Sequence, residues 1–246
     1  MPLTGTLINV GAVIAGTLVG TLLGDRLPDR LRETLMHALG LVTLAVGVDG
    51  ALAAFRPPLS ELTRASVLIV LGSVLVGGVV GELLRIEDGL SALGDRLRRR
   101  FAGEHEHHAR FTEGFVVASL VFCVGPMAIL GSIQDGLSGD VQLLGIKSLL
   151  DGFAALAFAS ALGWGVAFSV LPLLVYQGTI TLAASVVSDA FTPEVVAGLT
   201  AAGGILILGI SLRLLELKRV RVGNLLPALL FAPLAVAVVQ AVVEHG

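Results

Sequence analysis

Six polar side chains stand among apolar neighbours: Asn9, Gln134, Asp135, Lys147, Asp151 and Gln177. Facing a cavity, such groups could hold a small solute or ion, because amide and carboxylate oxygens accept from donors or bind cations and an ammonium attracts anions. Lys147 and Asp151 are four residues apart, so on a helix they share a face and can pair. Gln134 and Asp135 sit inside G-P-M-A-I-L-G-S-I-Q-D-G-L-S-G-D, residues Gly125–Asp140. The apolar run there breaks at Pro126 and Gly131, which predicts a discontinuous helix near Gly131–Gly139. Broken backbone at membrane depth exposes amides and carbonyls only where it lines a cavity. A charge at the bilayer centre costs about 2.5–3.5 kcal/mol on insertion scales, so such residues usually face a cavity or a partner. Plainer readings stand beside this one. Asp135 and Asp49 could end helices at the interface, Lys147 could reach the surface along its own stem, and Asn9 and Gln177 could be hydrogen bonds between helices.

The elements that would position these groups follow from composition. Of 246 residues, 55% are hydrophobic and 14% charged, against about 25% charged in soluble domains. Mean hydropathy is +0.92. These values predict an all-α polytopic bundle in a membrane, with lipids as its surroundings. The formal net charge of -3 argues against a nucleic-acid partner. Cys123 is the single cysteine and lies in an apolar run, so a disulfide framework is excluded.

Apolar runs long enough to span a bilayer are read at 6–23, 35–54, 67–84, 115–133, 143–162, 166–187, 195–215 and 225–243, giving eight helices. A misread turn at Trp164 would give seven. The whole chain, 1–246, is expected to form one transmembrane domain. The polar links contain Asp25, Arg26, Arg30 and Arg32; a proline turn at Pro57-Pro58; and the long segment 85–114. In that last segment Leu90, Leu93, Leu97 and Phe101 recur at helical spacing beside Arg96, Arg98, Arg99 and Arg100. The pattern fits either a solvated cytoplasmic loop or a helix lying on an anionic membrane surface. His105, His107 and His108 follow and are read as solvated, since adjacent loop histidines fix no ligand geometry.

Eight spans place all of the 16 Lys and Arg except Arg56, Arg64 and Lys147 on one side. Cytoplasmic links are enriched in these residues, so both termini are expected outside. A direct repeat is also expected, with units at about 5–54 and 67–137 and a remainder at 143–246. Gly11, Gly16 and Gly20 fall opposite Gly72, Gly77 and Gly81, with Val and Leu matches between them. Gly16, Gly20 and Gly24 lie four apart on one helical face, where a neighbouring backbone can approach closely. The same faces motivate a homo-oligomer.

The sequence shows no nucleophile–base pair, zinc signature or phosphate-binding loop, so it argues for no enzyme, cofactor or metal. The runs G-T-L-I-N-V at Gly5–Val10, the block Gly125–Asp140, K-S-L-L-D-G at Lys147–Gly152, Y-Q-G at Tyr176–Gly178 and G-I-L-I-L-G at Gly204–Gly209 resemble the YqgA/YdfK-like family of bacterial membrane proteins, a domain of unknown function (DUF554). The resemblance covers nearly the whole chain. It implies an integral inner-membrane protein, for which transporter is the common label, and it supplies no substrate or site residue. Two readings remain: a transporter or channel for a small solute or ion, and a non-transporting scaffold or partner subunit assembled through glycine faces.

Overall fold

A computed structural model of the chain describes residues 3–24, 26–101 and 108–245. Asp25, His105 and His107 lie outside the described residues, and His108 opens a helix. The fold is all-α, with helices α1 (Thr4–Gly24), α2 (Asp29–Ala51), α3 (Leu59–Leu62), α4 (Ser66–Leu84), α5 (Ile86–Phe101), α6 (His108–Cys123), α7 (Pro126–Ser138), α8 (Gln142–Leu162), α9 (Val170–Leu182), α10 (Ala184–Val187), α11 (Pro193–Leu214) and α12 (Ala228–His245). Among the described residues, six stretches are long and apolar enough to cross a membrane, or seven if the bent pair α6–α7 counts as one span.

The expected eighth crossing came from splitting the stretch Gln142–Leu182, which that count takes once. Its 41 residues would reach about 60 Å as one rod, twice the hydrocarbon thickness. Neighbouring residues show how it is folded. Leu144, near the start of α8, packs against Gly5 and Gly131, and Ser160, near its end, packs against Gly24. After the 3₁₀ turn Gly163–Ser169, Gly178 is back beside Leu3. The stretch is therefore a hairpin, with α8 running alongside α1 and α9 returning.

The break in the Gly125–Asp140 block also lies elsewhere than expected. The bend, 62°, falls between Cys123 and Pro126, and α7 runs unbroken through Gly131. Proline lacks the N–H a helix interior requires but suits its first turn, so Pro126 starts α7. Gly139 ends it in the left-handed conformation, φ 71°, where a residue without Cβ is unstrained. Two other limits shift. The second helix starts at Asp29, taking in part of the charged link. Much of 85–114 is the helix α5, with Arg85 ending α4 in the left-handed region.

The chain divides into two compact units, the first comprising Met1–Leu39 and Gly89–Val187, the second Gly40–Asp88 and Ser188–Gly246. Unit 1 is built on α1 and α8. In α1 the polar and small residues Thr6, Asn9, Thr17, Gly20 and Gly24 point inward, while Leu7, Ile14, Leu18 and Leu22 point outward. That pattern suits a solvent of lipid tails, where small residues rather than large apolar ones make the contact between helices. A Cβ at Gly16, Gly20 or Gly24 would collide with the carbonyl oxygen of Gly152, Leu156 or Ser160 respectively. Both series advance together by one turn, so α1 and α8 are parallel and their backbones touch for more than two turns.

In unit 2 the corresponding seams are antiparallel. Gly40, Gly47 and Gly50 meet Leu215, Leu208 and Gly204, and Gly77 and Gly81 meet Ala228 and Asn224. The core of this unit gathers Ala54, Leu59, Val70, Val195, Ala201 and Val236. One end is tied by a polar lattice. Glu87 accepts from Arg213 Nη1 (3.0 Å) and the Gly223 amide (2.7 Å), and Glu82 accepts from Arg221 Nη1 (2.8 Å) and Asn224 Nδ2 (2.6 Å).

Candidate functional site

Four of the six singled-out residues meet inside unit 1. Asp151, on the inward face of α8, is 8% exposed, and Lys147 one turn earlier is 6% exposed. Asp151 Oδ2 accepts from Lys147 Nζ and from Asn9 Nδ2, the latter at 2.9 Å. Asn9 Nδ2 also points at Gln177 Oε1 of α9, at 3.4 Å. Asn9 and Gln177 are fully buried. An amide on α1 thus bridges a carboxylate on α8 and an amide on α9, at the level where the hairpin packs on α1.

Asp135 is held one level nearer the start of α1. It is 1% exposed, and its Oδ2 accepts from the Gly5 amide at 3.0 Å. Gly5 belongs to the first turn of α1, whose amides have no partner within the helix and carry the positive end of its dipole. A carboxylate from α7 caps them. Gln134, its neighbour, departs from expectation. Its side chain is exposed, because a one-residue step around α7 turns it outward. Asp49 is exposed as well, paired with Arg56 at 2.8 Å on the surface of unit 2.

Burial on this scale normally goes with complete hydrogen bonding. Here several polar atoms of unit 1 are enclosed without a partner among the described residues: Thr6 Oγ1, Asn9 Oδ1, Asp135 Oδ1, Gln177 Nε2 and Thr181 Oγ1. Thr6 and Thr181 were not singled out from the sequence. Spacing puts them on the same helical faces, Thr6 three residues before Asn9 and Thr181 four after Gln177, but does not reveal that their hydroxyls lack partners. Asn9 is the sixth residue of α1, about 8 Å along its axis, so the cluster occupies the outer third of the helix rather than its middle.

The Lys147–Asp151 pair offsets two charges, and the Asn9 amide supplies a further donor to the carboxylate. A buried pair of this kind roughly breaks even in stability. The open atoms beside it offer oxygens and an N–H to a small polar guest. An apolar groove of about 510 Å³ lies in unit 2, between Leu68, Ile69 and Val76 of α4 and Phe231, Leu234 and Val238 of α12. It has no ionisable side chain in its lining, which suits it to a lipid tail or another apolar chain, not to an ion.

Comparison with known proteins places this geometry in context. The family described as "Protein of unknown function (DUF554)" matches residues 4–237. The chain is similar to "Uncharacterized membrane protein YdfK" of Bacillus subtilis (strain 168), at 31% identity over 237 residues, covering 96% of this chain and 97% of that protein. It is also similar to "Uncharacterized protein YqgA" of Escherichia coli (strain K12), at 33% identity over 236 residues, covering 95% and 96%. No solved structure matches.

Proposed function

The chain belongs to the DUF554 family and is a membrane protein, and from that premise we propose that it moves a small solute or ion across the cytoplasmic membrane, using the buried cluster of unit 1. The observation that supports this reading is the set of unpartnered polar atoms around Asn9, Lys147, Asp151, Gln177 and Asp135. A bundle held together only by these groups would gain nothing from leaving them open, because each enclosed polar atom without a partner costs about 1–3 kcal/mol. A guest that completes them recovers that cost. The alternative, a scaffold assembled through glycine faces, is less well supported: Gly16, Gly20, Gly24, Gly77 and Gly81 all face backbone of their own chain, while Gly11 and Gly72 face open space.

The helix directions within unit 1 support a membrane orientation. With α9 returning beside α1 and the α6–α7 pair counted as one crossing, the chain crosses eight times and both termini share a side. The Lys and Arg distribution puts that side outside. The cluster then lies in the third of α1 nearest the outer face of the membrane.

Purified protein in liposomes, loaded with a panel of ions and small metabolites, tests the reading. A selective flux is expected, and Asp151→Asn is expected to lower it at least about tenfold, because it removes the charge that holds Lys147. If every detected flux is untouched by Asp151→Asn and Asp135→Asn, or if the wild type moves nothing in the panel, transport through this cluster is wrong.

A further inference from the structure

The buried charges of unit 1 do not balance. Asp135, Lys147 and Asp151 are the buried ionisable residues described there, and Lys147 is committed to Asp151. That leaves the formal negative charge of Asp135. One of its oxygens, Oδ2, is bound to the Gly5 amide, and Oδ1 is enclosed with no partner. Two further enclosed oxygens converge on the same level. Thr6 Oγ1 follows Gly5 directly on α1, and Thr181 Oγ1 belongs to the stretch of α9 that packs on Asp135's own neighbour, since a Cβ at Gly136 would strike the Thr181 carbonyl. The Asn9–Gln177 contact fixes the register of α1 against α9, and Thr6 and Thr181 lie one turn further along that antiparallel seam. Three helices thus place one carboxylate oxygen and two hydroxyl oxygens at one level of the seam, each enclosed without a hydrogen-bond partner.

We propose that Asp135 Oδ1, Thr6 Oγ1 and Thr181 Oγ1 form a binding site for a monovalent alkali cation where α1, α7 and α9 meet. It rests on the reading of unit 1 as the solute- or ion-handling unit, and it names the class of ion. An all-oxygen donor set selects hard cations over thiophilic metals. A single charge neutralises the lone carboxylate, whereas a divalent ion would leave an excess positive charge in a low-dielectric interior, at high cost. The Gly5 amide holds the other carboxylate oxygen, so Oδ1 is already oriented for an ion.

The full-length protein in detergent is titrated with sodium chloride or potassium chloride, against choline chloride at constant ionic strength, and the unfolding midpoint is recorded. A ligand that binds only the folded state raises that midpoint saturably. The rise is expected with at least one alkali cation and absent with choline, whose methylated nitrogen offers no bare charge for oxygens to coordinate. Asp135→Asn is expected to abolish it. Thr181→Val, which keeps the shape and removes one oxygen, is expected to raise the half-saturating concentration about tenfold. Asp151→Asn is expected to retain it. The proposal is overturned if sodium and potassium act no differently from choline, or if Asp135→Asn and Thr181→Val both leave the response intact. It is also overturned if stability follows only pH, with Asp135 simply holding a proton. Should Asp135→Asn fail to fold, Thr181→Val decides alone. A saturable cation response without any flux would remove transport and leave the site standing; flux without such a response would do the reverse.

Discussion

Removing Lys147 alone and removing the Lys147–Asp151 pair together are different perturbations. Lys147→Met leaves Asp151 enclosed and unneutralised, with only the Asn9 amide as a donor. Loss of one partner of a buried pair costs about 3–5 kcal/mol, while replacing both partners with apolar groups is often neutral. The expected result is a large drop in the unfolding midpoint for Lys147→Met, largely recovered in the double variant Lys147→Met/Asp151→Leu. Trp164, the single tryptophan, lies in the turn of the α8–α9 hairpin and reports unfolding of unit 1 by its fluorescence. A single variant as stable as the wild type would show that the pair is not enclosed as described. The residue types of this cluster were readable in advance: Lys147 and Asp151 by their spacing, Asn9 and Gln177 by their polarity within apolar runs. Thr6 and Thr181 were not, because threonine in a helix usually returns its hydroxyl to the carbonyl one turn back, as Thr21 does to Thr17 at 2.8 Å and Thr200 to Val196 at 2.7 Å. Only the structure shows that Thr6 and Thr181 do not.

Among the elements, α1 depends most directly on having no side chains along one face. Gly20→Leu would drive a side chain into the Leu156 carbonyl, and overpacking of this kind typically costs about 1–3 kcal/mol, occasionally more. Gly11→Ala is the matched control, since a Cβ there meets open space and alanine favours the helix by about 1 kcal/mol. The expected outcome is a lowered unfolding midpoint for Gly20→Leu and an unchanged or raised one for Gly11→Ala; equal midpoints would mean the α1–α8 seam is looser than described. In unit 2, Thr192 caps α11 by accepting from the Val195 amide (3.3 Å) and donates to Gln240 Oε1 (3.1 Å). Thr192→Ala is expected to lower stability by about 1 kcal/mol, read as a shift in chemical unfolding. The apolar periodicity located most helices, but limits and bends depended on single residues. The Gly125-Pro126 step, not Gly131, sets the bend in the Gly125–Asp140 block, because proline constrains the residue before it while glycine inside an apolar helix is tolerated.

For the whole molecule, length and hydropathy count six spanning stretches, or seven with the bent pair, against the eight read from the sequence. The hairpin at Gly163–Ser169 is invisible to a search for long apolar stretches, because Val166 and Phe168 keep the turn as greasy as the helices it joins. Glycine residues flanking Trp164 were the cue. The partners of the glycine faces were beyond reach: a face without side chains announces close packing but not against what, and here it closes onto distant parts of the same chain. Topology is testable with single cysteines in a Cys123→Ala background. Arg99→Cys and Arg219→Cys, both exposed positions, are expected to resist a membrane-impermeant thiol reagent in intact cells and to react after permeabilisation. Arg64→Cys, also exposed, is expected to react from outside. The opposite pattern at any of the three would break the eight-crossing scheme.

The parallel alignment of α1 and α8 has a consequence for synthesis. Made before α8, α1 finds its mate only once α2, α4, the α6–α7 pair and α8 itself have followed, so until then Asn9 and the bare glycine stripe must wait beside the insertion machinery or among lipids, without the surface that later covers them. Chains truncated before Gln142 should therefore be cleared by quality-control proteases. A separately expressed fragment beginning at Gln142 should rescue them, if the late arrival of that one helix is what completes assembly.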